Sequence, residues 1–253
     1  MANALAEGWT RPEVPAEARP RLFGYDIRAD AAAHFAEAHG ATAVDSAETL
    51  ATSVDVVIIA VRPSEVPTAV AAIAPHVGDR PVISLAASIT IASVLDLLPR
   101  GASVGRVMPN VASARGYGLI VWTDGTLGDK VPRLRELFAP LGSIVDVPEH
   151  LFDEATAVAG CGPGFAALFI EAFEEAGAAV GLDWQVACEL ALGAVEGTVE
   201  LVRHSGDTGG VRRAVSTPGG MTIAGIEQLE LAGLRPALMA AVKAAVDRGR
   251  KMR

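Results

Sequence analysis

Cysteine is nearly absent: Cys161 and Cys188 are the only two in 253 residues, too few for a disulfide framework or a four-ligand zinc site. Aromatic residues are scarce at 5%. Basic charge is in deficit, since 21 Lys and Arg face 30 Asp and Glu, for a net charge of −9 and a pI near 5.1. A grip on nucleic-acid phosphates has no electrostatic footprint here, and no nucleic-acid partner is expected. The start, Met1 to Trp9, lacks the basic and apolar regions of a secretory signal. The longest uncharged run, 155–170, has 16 residues and is interrupted by Gly162-Pro163-Gly164. It reads as too short and too broken to span a bilayer, so no membrane association is expected. Gly-x-Ser-x-Gly, Walker and His-Glu-x-x-His patterns are missing, and His34, His39, His76, His150 and His204 show no ligand spacing. Hydrolase, nucleotidase and metal-dependent readings therefore have no support, and no metal is expected. These bounds describe a cytoplasmic protein that handles small molecules.

What is abundant is apolar residue: 51% of the chain, with a mean hydropathy of +0.35. A folded chain of this mass exposes about 10,500 Å² and buries about 70% of its unfolded surface. The first part alternates short β-branched runs with helical stretches. Strands are expected at Leu22–Ile27, Ala41–Val44, Asp55–Val61, Pro81–Ala86, Val104–Met108, Leu119–Thr123 and Ser143–Val147. Helices are expected at Ala31–His39, Ser64–His76, Ile91–Leu98 and Lys130–Leu141. Alternation of this kind, with continuously apolar strands such as Asp55–Val61, predicts a mostly parallel sheet covered on both faces. After Pro148 the pattern is helical throughout. Phe165, Leu168, Phe169, Ala172, Phe173 and Ala176 make one apolar stripe, and Asp183 is an N-cap for a second helix. A glycine-rich interval at His204–Gly210 is followed by helices near Thr222–Leu231 and Leu234–Arg248. The expected architecture is a Rossmann-like α/β domain at 1–148 and an all-α domain at 149–253, whose Ala-rich helices either pack against a partner subunit or form a compact helical domain.

Chemistry is expected at three kinds of place. Ser216-Thr217-Pro218-Gly219-Gly220-Met221-Thr222 leads into an apolar helix. Glycines let the backbone approach a ligand, and the helix start adds unpaired amides that attract an anion. Hydroxyls at Ser216, Thr217 and Thr222 can add donors; the plainer reading is a turn with Thr222 as helix N-cap. Ala60-Val61-Arg62-Pro63 follows the most apolar strand and Ala86-Ala87-Ser88 the next one, where ligands sit in open α/β sheets. Asp26 and Arg28 end the first strand; an acid there suits a ribose hydroxyl and an arginine a 2′-phosphate, which leaves NAD and NADP both open.

Several stretches in order resemble the pyrroline-5-carboxylate reductase family: Ala-Val-Arg-Pro at 60–63, Ile-Ser-Leu-Ala-Ala at 83–87, Arg-Val-Met-Pro-Asn at 106–110, Gly-Cys-Gly-Pro-Gly-Phe at 160–165 and Thr-Pro-Gly-Gly-Met-Thr-Ile-Ala-Gly at 217–225. The resemblance implies reduction of 1-pyrroline-5-carboxylate to L-proline with NADPH or NADH, and a homodimer or a larger assembly of dimers. It implies that the Thr222 hydroxyl meets the imine nitrogen. Thr217, Gly219, Gly220 and Met221 then hold the substrate carboxylate, Gly220 and Met221 through backbone amides. Ala60, Val61, Arg62, Pro63, Ala86 and Ala87 would contact the cofactor, with Arg62 in place of the family's lysine. Members of the family begin with a strand and Gly-x-Gly-Asn-Met-Ala; this chain starts at the equivalent of the last two residues, Met1-Ala2, so that strand and loop are expected to be missing. Two other readings share the architecture: a reductase of another cyclic imine or small acid, and a non-catalytic dimer without nucleotide affinity.

Overall fold

The computed structural model describes residues 1–251; residues 252 and 253, the end of the expected helical domain, lie outside the described residues. By its contacts the chain divides into one unit of Met1–Pro163 together with the chain from Ala245 on, and a second unit of Gly164–Ala244.

In the first unit α1 (Ala2–Thr10), β1 (Phe23–Gly24), α2 (Ala29–His39), β2 (Thr42–Ala43) and α3 (Ala47–Ser53) lead into β3 (Val57–Ile59). Then come α4 (Val66–Ile73), β4 (Val82–Ser84), α5 (Ile91–Leu95), β5 (Val104–Met108), β6 (Gly118–Thr123), α6 (Val131–Phe138) and β7 (Gly142–Asp146). β1 and β2 pair in parallel by themselves, and a five-stranded sheet runs in the order β3-β4-β5-β6-β7. All its pairings are parallel except β5 with β6. The antiparallel pair departs from simple alternation: a 3₁₀ turn at Val111–Arg115, closed by Gly116 at φ 77°, folds the chain straight back. β1 is shorter than the expected Leu22–Ile27 because β2 is its sole partner among the described residues. Without a second neighbour its flanks do not stay extended in a ladder.

Strand period decides which face each side chain joins. Val57, Ile59, Val82 and Val104 pack with Val66, Val70 and Ile73 of α4 and Val94 of α5. Their neighbours Ile83, Val107, Ile120 and Trp122 turn the other way, onto Leu5 and Trp9 of α1 and Leu134 and Phe138 of α6. Phe138 meets both indoles edge-on at 5.5 Å, a favoured aromatic geometry. Strands buried on both faces explain the uninterrupted apolar runs.

The rest of the chain is α7 (Phe152–Ala179), α8 (Trp184–Ser205), α9 (Thr208–Ala214), α10 (Met221–Leu231) and α11 (Leu234–Arg250). Asp183 caps α8 as expected, its carboxylate accepting from the Gln185 N–H at 2.9 Å. The break expected at Gly162-Pro163-Gly164 does not occur: α7 runs through Pro163 for 28 residues. Proline has no N–H to give the carbonyl four residues before it, here Ala159. That carbonyl instead accepts from the Asn110 side-chain amide at 3.0 Å. The other end of the same side chain, Oδ1, accepts from the Leu119 N–H at 3.2 Å. Asn110 thus completes the proline-containing helix and fastens it to β6. With the break gone, 149–179 is long and apolar enough by composition to cross a membrane, the only such helix among the described residues. The expectation that this run is too broken to span does not hold.

Asn110→Ala leaves a buried carbonyl and a buried amide without partners, and a loss of about 3 kcal/mol is expected. Pro163→Ala restores a donor for Ala159, so the double variant recovers part of that loss. A double-mutant cycle on urea midpoints, read by tryptophan fluorescence, checks the coupling.

Candidate active site

The parallel arrangement of β3 and β4, with Ile59 opposite Ser84, places their exits side by side. The Leu85 N–H extends the pairing to the Ile59 carbonyl at 2.9 Å. Beyond it, Ala86 is buried and donates its amide to Ser84 Oγ at 3.3 Å, while Ala60, Val61 and Arg62 are exposed. Arg62 starts a 3₁₀ turn containing Pro63, its own N–H donating to Glu65 Oε2 at 3.3 Å. Its guanidinium has no ion pair among the described residues. These two exits form one small-residue ledge with a cation at its rim. The exit of β1 carries Asp26 and Arg28, both exposed, with the Arg28 N–H donating to Asp26 Oδ1 at 2.9 Å. α1 has Met1 as N-cap and no side-chain cap.

The second unit carries the Thr217–Thr222 turn. Gly219 sits at φ 71°, a conformation open to glycine. The Gly220 N–H closes the turn onto the Thr217 carbonyl at 3.0 Å. A Cβ on Gly220 would lie 2.4 Å from Thr217 Oγ1, so a side chain here displaces the threonine. Gly220, not Thr222, is the N-cap of α10, and no side chain caps it. The plainer reading of Thr222 as a cap is thereby set aside. Among the described residues the amides of Met221, Thr222 and Ile223 find no backbone acceptor, and Met221 and Thr222 are exposed. Two expected donors are already used: Ser216 Oγ bonds the Arg212 carbonyl at 2.7 Å, and the Gly220 amide is held in the turn. The free donors are thus one to three residues further on. Cys188 stands in the wrong state for a nucleophile, because desolvation, and then Glu174, push its thiol up. No metal-ligating cluster exists among the described residues.

Comparison with known proteins shows the family. The family model for pyrroline-5-carboxylate reductase dimerisation covers residues 149–252, and that for NADP oxidoreductase, coenzyme F420-dependent, covers 1–88. Pyrroline-5-carboxylate reductase 3 of Macaca fascicularis is 33% identical over 257 residues, spanning 100% of this chain and 92% of that protein. This chain belongs to the pyrroline-5-carboxylate reductase family. The enzyme of that name from Synechocystis is 33% identical over 201 residues, with 78% of this chain and 75% of its own length aligned. The solved Plasmodium falciparum pyrroline carboxylate reductase with NADP bound superposes with a TM-score of 0.86 at 26% identity, covering 98% of this chain and 93% of its own. The family consists of nicotinamide-dependent oxidoreductases of the last step of proline biosynthesis, and the Rossmann-like α/β plus all-α architecture is its fold.

Sequence reasoning missed a charged cluster beside the β4 exit. Arg106, in the middle of β5, is 2% exposed. Its guanidinium reaches Glu149 at 3.5 Å and Asp153 at 3.1 Å, and lies 4.1 Å from the Phe152 ring centroid. Its Nε is buried without a partner. One signal was available: an arginine inside an otherwise apolar strand must find carboxylates. Arg106→Leu strands two acids against an apolar sheet, and a loss of about 3 kcal/mol is expected. Urea unfolding followed at the buried Trp122 measures it.

Proposed function

We propose that this chain reduces 1-pyrroline-5-carboxylate to L-proline with hydride from NADPH or NADH. One observation carries the reading: the start of α10 offers unpaired amides beside a free threonine hydroxyl, the pair of donors that a cyclic imino acid needs. In this assignment the Met221 amide, with Thr217 and the Gly219-Gly220 bend, holds the carboxylate at a helix N-terminus. The Thr222 hydroxyl donates to the imine nitrogen, which draws electrons from the neighbouring ring carbon. Clamping both ends of a small ring leaves one face toward the donor, and orientation of this kind lowers barriers by several kcal/mol. The bound nicotinamide supplies the hydride.

The residues present fit such a cofactor at its ends. Asp26 and Arg28 would hold the adenosine ribose, Arg62 would offer a cation to a phosphate, and the Ala60–Val61 and Ala86–Ala87 ledge would take a flat ring. The uncapped amides of α1 would donate to the pyrophosphate.

The chain works as a homodimer or an assembly of dimers. It exposes 14948 Å², well above the roughly 10,500 Å² expected of a folded monomer of this mass. Leu168, Phe169 and Phe173 of α7 and Leu190 and Leu192 of α8 are all exposed, and the dimerisation match begins at residue 149. A second copy covering these faces accounts for the apolar length of α7 without a bilayer, in keeping with a cytoplasmic protein. Light scattering in detergent-free buffer is expected to give at least twice 26.0 kDa; a stable monomer contradicts this assignment.

Purified protein is expected to oxidise NADPH or NADH when pyrroline-5-carboxylate is added. Thr222→Val is expected to lower kcat about a hundredfold, with Thr222→Ser retaining most of the rate. Near-normal turnover by Thr222→Val removes that residue from catalysis. Arg62→Ala is expected to raise the cofactor KM about tenfold, one charge-assisted hydrogen bond's worth, with kcat unchanged. A chain that fails to quench on titration with either nucleotide is the non-catalytic scaffold instead.

A further inference from the structure

The turn between β4 and α5 carries Ala86 and Ala87, and its shape is not one the chain adopts freely. Ser88 is the one non-glycine residue with positive φ among the described residues, at 62°, a backbone state that L side chains resist. Such a conformation persists only where its surroundings impose it. Three contacts do so. The Ala86 amide is held by Ser84 Oγ at 3.3 Å. The Ser88 hydroxyl donates to the Gly249 carbonyl at 2.9 Å. At the far end, the Ile91 N–H, first of α5, donates to Glu149 Oε1 at 2.6 Å.

Of these restraints, the Glu149 contact spans 58 residues and is the one that also meets a buried charge. The same Oε1 faces Arg106 of β5 at 3.5 Å, and Arg106 is in turn held by Asp153 and stacked against Phe152. A carboxylate bridging a strand arginine and a helix-start amide makes two charge-assisted contacts, stronger and more directional than neutral ones. It fixes the end of the turn with respect to the sheet and to the start of α7 at once. A cavity of about 540 Å³ lined by Thr90, Arg106, Glu149, His150 and Asp153 opens beside the bridge, so the turn has room to move if the bridge is lost.

We propose that Glu149 is a positioning residue for hydride transfer: through Arg106 and the Ile91 amide it holds the Ala86–Thr90 turn in its strained shape and thereby sets where the nicotinamide ring lies. This rests on the proposed reductase activity. Glu149 is not placed among the groups that touch substrate or cofactor. Removing it leaves Asp26, Arg28 and Arg62 intact, so affinity for the nucleotide is kept while alignment is lost.

The test uses the full chain, wild type and with Glu149→Ala or Glu149→Gln. Glutamine keeps an acceptor for the Ile91 amide, whereas alanine removes it. In cofactor-free protein, hydrogen exchange at the Ile91 amide is expected to quicken at least tenfold in Glu149→Ala and to stay within threefold of wild type in Glu149→Gln. With kcat expressed per NADPH-binding site, which discounts unfolded protein, Glu149→Ala is expected to fall about tenfold, since small misalignments at the reacting atoms cost rate steeply. Its NADPH Kd is expected to stay within threefold, and Glu149→Gln to restore kcat to within threefold. The proposal is overturned by a Glu149→Ala enzyme with wild-type kcat per site, by a loss in Kd that accounts for the whole effect, or by a glutamine variant as slow as alanine. Wild-type protein that binds NADPH yet leaves pyrroline-5-carboxylate unreduced overturns the reductase reading, and this proposal with it; that failure is recognised because it precedes any substitution.

Discussion

The start of α7 is fastened to the sheet by two side chains from one stretch of chain, Arg106 and Asn110, and the arrangement of the first unit depends on that seam. Asn110 supplies the hydrogen bond that Pro163 cannot, at the Ala159 carbonyl. Arg106 brings buried positive charge to Glu149 and Asp153 in the turn before α7 and in its first turn. Neither contact is local, and each satisfies a group whose burial would otherwise be costly. Together they allow a helix to begin against the sheet and continue past a proline without a break.

That seam also connects otherwise separate pieces of sequence. The stretch Arg106 to Asn110 and the stretch Gly160 to Phe165 are two of the segments by which the chain resembles its relatives. One provides the donor and the other the proline that needs it. Their chemistry is therefore structural, whereas the amides of Met221, Thr222 and Ile223 find no backbone acceptor and the Arg62 guanidinium no ion pair among the described residues. Polar groups left without partners in an otherwise well-satisfied fold mark the places where a ligand is expected.

Most of the element types could be read from the sequence, because apolar periodicity reports burial directly. Val104–Met108 has the expected bounds, and Asp183 caps α8 as its position suggests. The misreadings come from long-range effects. Leu22–Ile27 is extended in sequence pattern, but among the described residues the strand pairing is confined to Phe23–Gly24, with the Leu22 carbonyl accepting from the Thr42 N–H. Val104–Met108 and Leu119–Thr123 are extended as expected, but their mutual direction was not legible: a turn closed by Gly116 pairs them antiparallel. Gly162-Pro163-Gly164 looks like a break because the compensating amide lies 49 residues away. The turn with Gly219 and Gly220 was legible through turn chemistry, but its helix is capped by Gly220 and not by Thr222. The engagement of Ser216 and Gly220 within the turn was not legible, since either group can equally face a ligand. Arg106 and Glu149 were missed because their partnership spans 43 residues and neither has a local motif.

The most direct test of the account follows the hydride itself. The enzyme is incubated with pyrroline-5-carboxylate and NADPH or NADH carrying deuterium on the transferable face of the nicotinamide, and the product is analysed by mass spectrometry and proton NMR. The account predicts L-proline with one deuterium on the ring carbon that was double-bonded to nitrogen, on a single face. Nucleotide binding without labelled proline, or label scattered over both faces, would contradict it.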